Sequence, residues 1–194
     1  MLQDKIIQRT KQQKHEIKSG RYWATIACLN CPVEMYERLY GDGELSDDVI
    51  LKMARGSAIH KGLAEYYQDS EMHFEIQLPD FVISGKIDGI LNGQLYELKT
   101  YAVMKYVPLG IYKNQVEIYL RALQYDSALA ERVGGKLKNW EEAILGFINF
   151  ATFKEKVVKV KMSDSRWETI LGKVRLLHEA IMKKQRPSCI CGKH

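Results

Sequence analysis

The dipeptide Asn92-Gly93, set between two alternating runs, constrains this chain more than any other feature. The stretch Phe81-Val-Ile-Ser-Gly-Lys-Ile-Asp88-Gly-Ile-Leu-Asn92-Gly93-Gln-Leu-Tyr-Glu97-Leu-Lys99-Thr reads as a β-hairpin, because a two-residue Asn-Gly loop supplies the positive φ angles such a turn needs. With Asn92 and Gly93 as the loop, Leu91 faces Gln94, and the register carried back places Asp88 opposite Glu97 and Lys86 opposite Lys99. Directly opposed residues have Cβ atoms roughly 5 Å apart, where two carboxylates repel unless a cation lies between them. Divalent ions take oxygen ligands of this kind. The hairpin therefore predicts a metal site.

Side chains alternate along a strand, so Glu97 and Lys99 share one face while Leu98 turns into the core and leaves its backbone carbonyl available to the ion. An isolated Glu-x-Lys is usually an ordinary surface strand; the paired Asp88 changes that balance. Two carboxylates on a divalent ion, with a lysine beside them, suit hydrolysis of a phosphodiester: the ion activates a water, and the lysine orients it or stabilises developing charge. As a strand residue on this open face, Lys99 is expected to be solvated and to contribute little to stability. His60, in Gly56-Ser-Ala-Ile-His60, is a candidate third ligand, although a lone helical histidine is more often a packing residue. His15, His73, His178 and His194 have no supporting constellation; His194 alone could compete as a ligand near the terminal cysteines. Gln115 and Tyr119 stack one turn apart on a helix and could contact DNA phosphate or base edges, orient the lysine, or simply pack. Tyr101, Tyr106 and Tyr112 could stack on unpaired bases or belong to the core.

All four cysteines lie near the ends of the sequence, as Cys28-Leu-Asn-Cys31 and Cys189-Ile-Cys191. Two close pairs that a fold could bring together suggest a four-thiolate centre rather than disulfides. With 194 residues, 46% of them apolar, the chain is expected to form one domain over residues 1–194. No apolar run approaches the roughly 20 residues of a membrane span, and the expected location is cytoplasmic. The net charge of +5 would suit a polyanionic partner but is modest.

Residues 1–19 read as a solvated helix or loose arm. Pro32 opens a short helix to Tyr40, and helical spacing continues from Val49 to Gln68 with Gly56 as a possible break. Met72, Phe74, Ile76 and Leu78 alternate as a strand, followed by the hairpin strands at about 81–91 and 94–101. A helix from near Asn114 to Gly134-Gly135, strands at 144–151 and 153–162, and a long helix opened by a Ser165-x-x-Glu168 capping box complete the order. The expected class is α/β, an α+β mixed sheet flanked by helices.

Taken in order, Gly56-x-x-x-His60, Asp88, Glu97-x-Lys99 and Gln115-x-x-x-Tyr119 resemble the motif set of RecB-like nucleases in the PD-(D/E)xK superfamily. Cys31-Pro-x-x-x-Tyr36 and the cysteines after Pro187 narrow the resemblance to the CRISPR-associated Cas-four nucleases, over residues 28–191. The resemblance implies a restriction-endonuclease-like core and a DNA exonuclease using Mn2+ or Mg2+, with an iron–sulphur module joining the chain ends. His60, Asp88, Glu97 and the Leu98 carbonyl would hold the ion, Lys99 would be catalytic with Asp88 and Glu97, and Gln115 and Tyr119 would support the site. Cys28, Cys31, Cys189 and Cys191 would bind the cluster. Members commonly supply one early and three late cysteines, whereas this chain offers two and two; local pairs favour 2Fe-2S over 4Fe-4S, with zinc the plain alternative. The implied role is trimming of DNA from free ends before spacer capture, alongside CRISPR integrase proteins; single strands are the expected substrate because no groove-reading motif is present and the candidate contacts, lysines and tyrosines, suit backbone attraction and base stacking. A repair or mobile-element nuclease would share the chemistry without that role. A non-catalytic DNA-binding subunit is a third possibility, opposed by the complete Asp88, Glu97, Lys99 set.

Overall fold

A computed structural model of the chain describes residues 2–12, 20–41, 43, 45–103, 107 and 109–192. His15, Tyr106 and His194 lie outside the described residues. The elements run α1 (Leu2–Gln12), β1 (Arg21–Trp23), α2 (Ala24–Ala27), α3 (Pro32–Tyr40), α4 (Asp47–Leu63), a 3-10 turn (Ala64–Tyr66), β2 (Asp69–Gln77), β3 (Val82–Leu91) and β4 (Gln94–Tyr101). They continue with α5 (Leu109–Tyr125), α6 (Ser127–Val133), β5 (Glu142–Asn149), β6 (Glu155–Lys161) and α7 (Asp164–Met182). This is a mixed six-stranded sheet flanked by helices, in the order β1-β3-β4-β5-β6 with β2 also on β3.

The hairpin forms as its turn chemistry dictates. Asn92 and Gly93 sit at φ 54° and 79°, and Leu91↔Gln94, Ile90↔Leu95 and Gly89↔Tyr96 are paired. Beyond Gly89 the strands part: β4 turns to pair in parallel with β5, from Leu95↔Ala143 to Tyr101↔Asn149. β2 lines one edge of β3 from Ile90 to Val82, while the opposite edge is shared between β4 at Gly89–Leu91 and β1 at Val82–Ser84. Between them Gly85 to Asp88 face a gap in the sheet. The β2 ladder also skips Glu71, at φ 51°, where Asp88 would be its partner. Lys86 therefore does not lie against Lys99; it pairs with Glu71 on the β2 side at 2.8 Å.

The period-two alternation of β4 and β5 sorts two cores. Leu95, Ala143, Leu145 and Phe147 pack with α5 and α7 in the main core. Tyr96, Leu98 and Ile144 turn to the other face, against Ile59 and Leu63 of α4. Gly56 does not break α4; its absent side chain lets the helix approach β4, where a Cβ would lie 3.1 Å from Thr100 Oγ1. The helix expected to run on to Gly134 divides at Asp126. That carboxylate caps α6 by accepting from Leu129 N at 3.0 Å, and its other oxygen accepts from Glu75 N of β2 at 2.9 Å. The long last helix has Ser163 as N-cap, two residues before the expected Ser165. Ser163 N itself donates to the buried Glu117 carboxylate of α5, at 3.0 and 3.1 Å.

Candidate functional site

The gap between β3 and β4 holds the predicted carboxylates. Asp88 Oδ2 accepts from Leu98 N at 2.8 Å, replacing the missing ladder bond, and Asp88 Oδ1 lies 3.3 Å from His60 Nδ1 on α4. A strand residue presents its N–H and C=O to the same neighbour, so the Leu98 carbonyl is directed to this gap as well. Glu97 is 2% exposed, and its Oε1 accepts from Lys99 Nζ at 2.5 Å. Lys99 is 19% exposed, with its ammonium 5.0 Å from the centre of the Tyr112 ring. The expectation of a solvated lysine is corrected: β5 and α5 cover this face, and Lys99 is held in an ion pair within it.

Burial pushes the Glu97 carboxyl up to about 8, reinforced by Asp88 and opposed by Lys99. For Asp88, burial also disfavours the charge, but His60, the Leu98 N–H and Lys99 outweigh it and hold the group below its ordinary range. The Lys99 ammonium is lifted because Glu97 and Asp88 outweigh the burial that would lower it. Glu97 Oε2 is buried with no hydrogen-bond partner among the described residues. Leaving such an atom unsatisfied costs about 1–3 kcal/mol, more for a charged group. A divalent ion between Glu97 and Asp88 would remove that penalty, and the donor chemistry suits one, although the ligand atoms of His60, Asp88 and Glu97 do not all lie within 4.8 Å of one another. Gln115 and Tyr119 are both buried, and the amide donates to the phenol at 2.5 Å. Burial first, then the nearby Glu97 charge, pushes the Tyr119 phenol well above its usual value. This pair backs the carboxylates from α5.

The thiols form a second site. Cys31, at the N-cap of α3, lies 3.8 Å from Cys189, which is 3.4 Å from Cys191. Among the described residues this is the set of three metal-ligating atoms mutually within 4.8 Å. Cys28 stands apart from it. Its thiol donates to Thr25 O at 3.4 Å in the main core, and burial pushes it up to about 12. The expected two-and-two grouping is thus replaced by one early and two late thiols. Cys28 instead lies within electrostatic reach of Lys99 and Glu97.

Two residues that position the Cys28–Cys31 turn escaped the sequence reading. Asn114 of α5 donates to Cys28 O at 3.0 Å, and Lys173 of α7 donates to Leu29 O at 2.9 Å. Lys173 is 5% exposed and makes no ion pair among the described residues; burial lowers its pKa against the pull of Cys28, Cys31 and Glu34. The available signal was its place on the apolar stripe, three residues after Ile170 and four before Leu177.

No family model and no curated protein matches the sequence. Among solved structures, that of SSO0001 is similar over 96% of this chain and 89% of that one, at 20% identity and a TM-score of 0.61. The two proteins share a fold. A proposed exonuclease from Eubacterium rectale aligns more loosely, at 11% identity and a TM-score of 0.44 over 88% of this chain and 85% of that one. LHK-Exo in complex with dAMP is similar at 11% identity and a TM-score of 0.43, over 86% of this chain and 91% of that one.

Proposed function

We propose that this chain is a divalent-metal-dependent deoxyribonuclease of the RecB-like PD-(D/E)xK type that degrades single-stranded DNA from its ends. The observation that carries this reading is the buried Glu97 Oε2, without a hydrogen-bond partner among the described residues, beside Asp88 and Lys99. A surface strand with ordinary charges would leave both oxygens in water. Mn2+ or Mg2+, held by His60, Asp88, Glu97 and the Leu98 carbonyl, would supply a Lewis acid that acidifies a water and stabilises charge on phosphorus-bound oxygen. The protein's own part is placement. His60 and the Leu98 N–H orient Asp88, the Gln115–Tyr119 pair supports Glu97, and the partly exposed Lys99 ammonium is the group available to a phosphate oxygen or the attacking water.

Linear single strands with Mn2+ or Mg2+ should shorten progressively, while closed circles survive longer and added chelator stops the reaction. Equal rates on circles would mean endonuclease action. A folded, metal-replete protein that binds DNA without cutting it would favour the non-catalytic subunit.

The thiol trio is proposed as a metal centre. An iron–sulphur cluster follows from the resemblance to Cas-four nucleases, as does work beside CRISPR integrase proteins; a repair or mobile-element nuclease would need neither. The spacing favours a second reading. One tetrahedral ion with metal–sulphur bonds of about 2.3 Å sets its sulphurs about 3.8 Å apart, matching Cys31 to Cys189 at 3.8 Å. Protein purified without oxygen should be brown with broad visible absorption if iron and sulphide are bound, and colourless with stoichiometric zinc otherwise. Co-purification with integrase proteins tests the CRISPR role.

A further inference from the structure

A cavity of about 550 Å³ opens between α4, the end of β4 and the start of α5. Its size lies within the range of roughly 300–1,000 Å³ common to small-ligand sites. Tyr112 links it to Lys99: its ring lines the cavity and lies 5.0 Å from Lys99 Nζ. Phe150 forms another wall, with the Arg55 guanidinium 4.8 Å above its ring. Among the described residues no carboxylate lines the cavity; Lys52 is paired with Asp48, and Arg55 makes no ion pair among those residues.

Aromatic walls, a cation without an ion pair among the described residues, and a ring shared with the proposed catalytic lysine describe a particular occupant. We propose that this cavity receives the nucleobase of a nucleotide next to the scissile phosphate of single-stranded DNA. The base stacks on Phe150 and Tyr112, and Arg55 meets the adjoining phosphate. A paired base is already stacked within its duplex and cannot enter, so the cavity selects for unpaired ends. Gly56 and Thr100 both line the cavity, where a Cβ on Gly56 would lie 3.1 Å from Thr100 Oγ1, so the first residue of the Gly56-x-x-x-His60 segment contributes a side-chain-free stretch of its wall. This inference rests on the nuclease reading but not on the identity of the metal.

The test measures binding in chelator, without turnover. A fluorescent single-stranded oligonucleotide is titrated by anisotropy, and then a set in which one abasic nucleotide is walked along the strand. Wild-type protein should lose about tenfold in affinity when the abasic nucleotide occupies one register near the end. Phe150→Ala should lose about as much on the intact strand and become indifferent to the abasic position; Phe150→Leu, which keeps apolar volume without a ring, serves if the alanine variant does not fold. Wild-type affinity that is the same for the intact strand and for every abasic register overturns the base pocket while leaving the nuclease reading untouched. Failure to bind any single-stranded DNA overturns both. A Phe150→Leu protein that keeps wild-type affinity and abasic sensitivity removes Phe150 from the site and the proposal with it.

Discussion

The carboxylate site and the thiol site are assembled by opposite means. Asp88 and Leu98 are ten positions apart on strands joined by a two-residue turn, whereas Cys31 and Cys189 are separated by 158 positions and meet only after α7 has docked. The hairpin needs little loop closure, and the thiols need a great deal. The electrostatics differ in the same sense. Glu97 already has one internal cation in Lys99, so the apo hairpin is half-neutralised. Near the thiols the buried charge is the cation itself, Lys173, with a carbonyl as its hydrogen-bond partner. Metal at the first site would serve chemistry and relieve the local burial of Glu97; metal at the second would tie the ends of the domain and place negative thiolates near Lys173.

The sharpest break between the two is catalytic. Lys99→Ala should reduce DNA cleavage about 10²–10³-fold and, because it strands Glu97, also lower stability by about 1–3 kcal/mol. Adding Glu97→Gln should recover part of that stability but none of the activity, a coupling that denaturant titration of the two single variants and the double variant would measure. Additive losses would mean that the Lys99–Glu97 ion pair is not what holds the strand face.

Cys31→Ala should act the other way round, lowering stability by about 3 kcal/mol through loss of the long-range tether while leaving the hairpin chemistry in any folded fraction. Chelator should lower the melting temperature of the wild type by more than that of the variant, which keeps only the carboxylate site. Insensitivity of both would remove the tether.

Lys173→Met should cost the metal-free protein under about 1 kcal/mol, since an unpaired buried ammonium contributes little stability, yet weaken metal retention about tenfold. Metal content after competition with a chelator reads this out. Unchanged retention would separate Lys173 from the thiol centre.

The smallest effect lies remote from both sites. Asp69, held down at about 2 by Arg132 first and Lys136 second against the opposing burial, ties β2 to α6 and its following turn. Its folded-state pKa is depressed, so its contribution is present above about pH 4 and lost as pH falls towards 2, and is worth about 1 kcal/mol given the exposure of both cations. Asp69→Asn should flatten that part of the pH–stability curve without touching cleavage. A retained slope would assign the acid sensitivity elsewhere.

What the linear sequence determined is whatever local stereochemistry decides. Asn92-Gly93 set the turn and its register, period two put Glu97 and Lys99 on one face, and Pro32 opened α3 directly after Cys31. Such features need only neighbours a few residues away. Tertiary structure decided the rest, because each outcome depends on a group supplied by a distant element. β5 drew β4 away from β3 and opened the gap that Asp88 bridges. Glu75 of β2 and Glu117 of α5 moved two helix boundaries by claiming backbone and side-chain hydrogen bonds at Asp126 and Ser163. Cys28 and Cys31, three residues apart, parted company because one thiol enters the core while the other, at the N-cap position of α3, meets the chain end. Spacing could nominate the ligands. Only the burial of Glu97 and Lys173, fixed by helices packed across the sheet, shows where the fold carries charge that still calls for a partner.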